Sequence, residues 1–247
     1  MGAGTRRGTG RRRILRNTVV AVLVVVALAL VTVTVMRMRA EGADADVESR
    51  QYTPPPLTRP TASALPLVAV IGDGTTTQSA PGVGAAQRWT SLLATDADVQ
   101  VRTFASAGAG YLAEGADGRT FLEEASRVPQ DSDLVVIFGG IADVGASQLR
   151  VSRAASQTIS AVQTRAPRAK IAVIGPVTDD DAPADAVTQL RTTLQNASGA
   201  FGLSFVDPIQ QAWLNGSPNS PGDLDAGDER TLAARLQTVV VSQLPQS

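Results

Sequence analysis

The sequence predicts a doubly wound α/β sandwich built on a parallel sheet. Residues 67–71, 134–138 and 171–174 are near-continuous apolar runs, and each stops at a glycine: Gly72, Gly139 and Gly175. Strands that are apolar throughout, rather than alternating, suit a parallel sheet covered on both faces. Between them lie stretches with apolar residues three and four apart, so strand and helix alternate along the chain.

In chain order, the first 17 residues carry Arg6, Arg7, Arg11, Arg12, Arg13 and Arg16, and residues 18–36 follow without a single charge. An uncharged run of that length, dominated by Val, Leu and Ala, suits a helix crossing roughly 30 Å of hydrocarbon. Arg37 and Arg39 close it. The excess of arginine before the run predicts a cytoplasmic N-terminus and an extracytoplasmic remainder in a single-pass membrane protein. The alternative is a signal peptide cleaved near Ala43-Asp44-Ala45; against it stand the length of the run and the two arginines beyond it. Residues 37–65 read as a tether, with Glu41, Asp44, Asp46 and Glu48 followed by Pro54, Pro55, Pro56 and Pro60. Residues 66–247 are long enough for one domain with a full core.

Within that domain the strand of residues 67–71 precedes a helical pattern at 84–93, and a less uniform strand at 99–104 precedes one at 120–128. The strand of 134–138 leads to a long helix at 146–164, and that of 171–174 leads to a helix at 184–197 with Pro183 suited to its start. A last weak strand at 203–206 and a helix at 228–244 complete the series. Ligands of such folds bind beyond the carboxyl ends of the strands, so function is expected in the loops there.

Four loops meet that description. The first is Gly72-Asp73-Gly74-Thr75-Thr76-Thr77, and the second runs from Ser106 through Gly108 and Gly110 to Tyr111. The third is Gly139-Gly140-Ile141-Ala142-Asp143-Val144, and the fourth, ahead of the last helix, runs from Asn219 through Gly222, Asp223 and Asp225 to Gly227. In these loops, in this order, the chain resembles the SGNH/GDSL hydrolases, esterases and acyl-transferring enzymes on a flavodoxin-like three-layer α/β/α sandwich. The resemblance covers residues 66–244.

The resemblance implies a nucleophilic serine at position 74, oxyanion groups at 108 and 142, and an aspartate and histidine at 219 and 222. The chain has Gly74, Gly108, Ala142, Asn219 and Gly222 there, so only the glycine at 108 fits. Asp73, Gly139, Gly140 and Asp143 also fit, and these shape turns. The chain has no histidine and no cysteine anywhere. That removes the usual base for a hydroxyl nucleophile, thiol chemistry, and the common zinc sites. Loss of a nucleophile or base costs on the order of 10⁶ in rate, and loss of one oxyanion donor about 10²–10³. A pseudoenzyme is therefore expected.

Two rescues remain open from sequence. Thr75 with Asp223 could serve as a histidine-free nucleophile and base; hydroxyls after a tight turn more often cap the backbone. Asp223, Asp225 and Asp228, or Asp179-Asp180-Asp181, could supply a carboxylate base or hold a divalent cation; acids at a helix start more often complement its dipole. No metal or cofactor is expected, and the glycine loops lack the nucleotide-binding spacings. A net charge of −1 and the location disfavour nucleic acid. The expectation is a binding cleft of Asp73, Gly74, Thr75, Gly108, Tyr111, Gly140 and Ala142 at the cell envelope, open to an acyl chain, a glycan or a protein partner. The alternatives are an active envelope esterase with unusual residues, or a scaffold.

Overall fold

The computed structural model describes residues 65–178, 181–214 and 220–244. The expected tail, membrane span and tether lie outside them, as do Asp179, Asp180 and Asn219. Among the described residues no helix is long and apolar enough to cross a membrane.

Five strands form the sheet: β1 (Leu67–Gly72), β2 (Gln100–Ala105), β3 (Leu134–Phe138), β4 (Lys170–Ile174) and β5 (Phe205–Val206). All neighbours pair in parallel, in the order β2-β1-β3-β4-β5. That order reverses direction between β1 and β3, which places a crevice beyond their carboxyl ends. β1 and β3 are buried along their whole length, as their unbroken apolar sequence requires. β2 is an edge strand, and its exposed Arg102 and Thr103 explain why its sequence pattern is weaker.

The helices are α1 (Gly74–Thr77), α2 (Trp89–Asp96), α3 (Phe121–Ala125), α4 (Gln148–Arg165), α5 (Ala184–Gly199) and α6 (Ala226–Gln243). Alternate residues of β1 feed two separate cores. Ala69 and Ile71 pack with residues of α3, α4 and α5 on one face. Val68 and Val70 pack with Trp89 and Leu93 of α2 and Leu232, Leu236 and Val240 of α6 on the other. The expected helices occur with shifted ends. The pattern at 84–93 resolves into a short 3-10 turn, Ala85–Gln87, and then α2. The four-residue α1 lies in what reads from sequence as a loop. Its glycine and three threonines carry no apolar periodicity, and the Asp73 cap forms it.

The two-core architecture has a measurable consequence. Leu194 of α5 and Leu232 of α6 are both fully buried, one in each core. Leu194→Ala and Leu232→Ala are each expected to cost about 2–5 kcal/mol. The sheet separates the two sites, so urea unfolding of the double variant should return the sum within about 0.5 kcal/mol.

Candidate functional site

The loops at the carboxyl end of the sheet are held by buried carboxylates. Asp73, 1% exposed, ends β1 and caps α1. Its Oδ1 accepts from Thr75 N at 2.9 Å, and its Oδ2 accepts from Gly140 N at 2.8 Å. One side chain thus ties the loop after β1 to the loop after β3. The approach is so close that a Cβ at Gly139 would fall on the Asp73 carboxylate, and Gly139 also has a φ of +104°. Glycine is the residue that meets both demands.

Asp143, 3% exposed, does the same for the loop after β2. Tyr111 N reaches its Oδ2 at 2.6 Å, and Leu112 N and Ala113 N reach Oδ1 at 3.1 and 2.9 Å. A Cβ on Gly110 would stand 2.7 Å from Oδ2, so the second glycine of that loop is fixed by this contact.

A third carboxylate, Glu229 of α6, brings in the last loop. Its Oε2 accepts from Trp89 N at 2.7 Å, and its Oε1 accepts from the Ser79 hydroxyl. Ala80 N donates to Leu224 O at 2.8 Å, which sets residues 79–80 beside the turn 221–223. Trp89 closes the arrangement: its Nε1 donates to Thr75 O at 2.9 Å, and its ring stands edge-on to Phe138, centroids 5.5 Å apart.

This network corrects several expectations. Thr75 is 2% exposed, its main-chain N–H donates to Asp73 Oδ1, and among the described residues no hydrogen bond joins it to the exposed Asp223. It behaves as a cap and is not placed as a nucleophile. Tyr111 does not line an open pocket. It is 2% exposed, packs edge-on against Phe121 at 5.0 Å, and has a hydroxyl with no partner. Asp73, Gly74 and Gly140 are buried too. Gly108 and Ala142 are exposed. Gly222 is half-buried, with nothing nearer to its Cβ direction than Ser220 Oγ at 4.0 Å.

Asp225 and Asp228 are used in capping α6: Asp225 Oδ1 accepts from Gly227 N and Asp228 N, and Asp228 Oδ2 accepts from Asp225 N at 3.1 Å. Among the described residues no three acids are grouped to hold a metal ion. A cavity of about 50 Å³ lies at the start of α4 and α5, lined by Asp143, Gln148, Gln189 and Thr193 among others. It is small beside the roughly 300–1,000 Å³ of ordinary ligand pockets.

Sequence reading missed Ser79 and Glu229 as members of the site. Ser79 and Glu229 lie 150 positions apart, and a glutamate in the first turn of a helix ordinarily reads as a dipole partner.

Burial dominates the electrostatics. It pushes the Asp73 carboxyl above the usual aspartate range, against hydrogen bonds from Gly140, Thr75 and Ile141. Asp143 and Glu229 are raised for the same first cause. Burial raises the Tyr111 phenol as well, with the negative charges of Asp143 and Asp73 adding to it.

A carboxyl whose pKa is higher folded than unfolded binds protons more tightly in the native state. Stability contributed by such groups grows as pH falls from neutral toward the ordinary carboxylate value, and is lost as pH rises through the folded pKa. The melting temperature is therefore expected to hold or rise between about pH 7 and pH 5, and a steep fall over that interval in calorimetry would contradict the burial of these groups. Separately, Tyr111→Phe removes an unpartnered buried hydroxyl and should raise stability by about 1 kcal/mol in denaturant titration.

The model of the GDSL-like lipase/acylhydrolase family matches residues 70–234. GDSL lipase Rv0518 of Mycobacterium tuberculosis is 30% identical over 191 residues, covering 72% of this chain and 82% of that protein. Est24, a carbohydrate acetylesterase from Sinorhizobium meliloti, superposes with a TM-score of 0.60 at 14% identity, covering 72% of this chain and 99% of that one. The native aryl esterase of M. smegmatis superposes at 0.56 and 17% identity, covering 72% and 100%. At such identities these two structures speak to the fold alone. The sequence matches go further: the chain belongs to the GDSL-like lipase/acylhydrolase family.

Proposed function

We propose that this chain is a membrane-anchored, extracytoplasmic family member that binds an acyl- or glycan-bearing envelope ligand and does not turn it over by the family's serine–histidine route. The observation that carries this reading is a contrast within one site. The backbone network around Asp73, Asp143 and Glu229 is complete. Yet positions 74, 142 and 222 carry Gly, Ala and Gly, and no histidine exists elsewhere to act as base. A protein that supports its loops without the reactive side chains can still present them to a ligand. The exposed Gly108 and Ala142 and the open space at Gly222 give the surface little bulk. The anchoring rests on the uncharged run of residues 18–36 and its flanking arginines.

The esterase reading through Thr75 and Asp223 is weakened by the burial of Thr75, 2% exposed, against the exposed Asp223. The test is steady-state hydrolysis of short-chain aryl esters by the purified full chain, beside calorimetric binding of a non-hydrolysable short-chain acyl amide. Turnover equal to buffer, with saturable binding that Ala142→Trp abolishes without lowering the melting temperature, is expected. Sustained turnover, or no binding at all, overturns the proposal.

A further inference from the structure

The hydrogen bond between Ser79 and Glu229 does more than fasten two loops. Catalytic hydroxyls are recognised by geometry: a hydroxyl on a base, with that base oriented by a third group. Ser79 Oγ donates to Glu229 Oε1, and the Trp89 main-chain N–H fixes Oε2 at 2.7 Å. Ser79 is half-buried, while Glu229 is 1% exposed. The pair sits where the first loop meets the last, since Ala80 N is bonded to Leu224 O.

We propose that Ser79 is an acyl acceptor for activated carboxylic esters, with Glu229 as its base. Ser79 Oγ attacks the ester carbonyl carbon, and its proton passes to Glu229 Oε1. The bond from that carbon to the leaving alcohol breaks, and the departing oxygen takes the proton from Glu229. Ser79 is left esterified, one alcohol is released, and Glu229 is again a carboxylate. Glu229 is 1% exposed and its Oε2 is held by Trp89 N, which restricts the access of a hydrolytic water to Oε1. The acyl-serine therefore accumulates. This goes beyond ligand binding and does not depend on positions 74, 142 or 222.

The full chain is incubated with 4-nitrophenyl acetate, with nitrophenolate release followed and the modified peptide identified by mass spectrometry. One equivalent released per chain, with a single acetyl group on Ser79, is expected. A positioned general base contributes roughly 10²–10⁴-fold, so Ser79 should acylate faster than the exposed serines by about that factor. Ser79→Ala removes the burst, and Glu229→Gln lowers the rate while leaving Ser79 present. The rate should rise with pH through one ionisation above the ordinary glutamate range, where burial places Glu229, with Arg88 opposing and Asp228 reinforcing the shift.

Acetyl on other residues only, or a burst that survives Ser79→Ala, overturns the assignment. Sustained turnover abolished by Ser79→Ala would overturn the accumulation of the acyl-serine, together with the proposal that the chain only binds. Acyl-amide binding that persists in Ser79→Ala, with no acetylation of the parent, would overturn the pair alone.

Discussion

Asp73 and Asp143 are buried among main-chain N–H groups, and the arrangement of the loops around the crevice follows from what those carboxylates need. Among the described residues no Lys or Arg pairs with either. Their charge is met by backbone donors from three separate loops. An uncompensated buried carboxylate is costly, so each must keep its full set of donors, and each donor must stay in register. Gly110 and Gly139 are consequences: they let the backbone approach where a side chain would collide.

The ties run through main-chain groups, so the network around Asp73 and Asp143 does not depend on what side chains stand at 74, 142 or 222. This is the physical reason the architecture of the loops is separable from the side chains they present. In a site built on side-chain contacts, small residues at such positions would leave partners unsatisfied. Here the supporting network bypasses positions 74, 142 and 222, so small residues there cost the scaffold little.

The fold was legible because β1, β3 and β4 are covered on both faces and so have no reason to alternate in polarity. The edge position of β2, with Arg102 and Thr103 exposed, and the brevity of β5 blurred their signals. Within the site, Asp73 and Asp143 could be recognised as turn-forming residues from their places beside glycines. The burial of Tyr111 could not, because an aromatic after a glycine loop is equally compatible with a pocket wall and with packing on Phe121. The Ser79–Glu229 contact was invisible for a different reason: it is created by the packing of α6 against the first loop, and neither residue belongs to a local pattern.

The aromatic residues are distributed unevenly between the two sides of the sheet. Both tryptophans of the chain, Trp89 and Trp213, lie in the core shared with α2 and α6, whereas Tyr111 and Phe121 lie in the other. Intrinsic tryptophan emission is therefore a one-sided optical reporter. It registers loosening around α2 and α6, including the Trp89 contact to the first loop, and it is blind to fraying of α4 and α5 on the opposite layer.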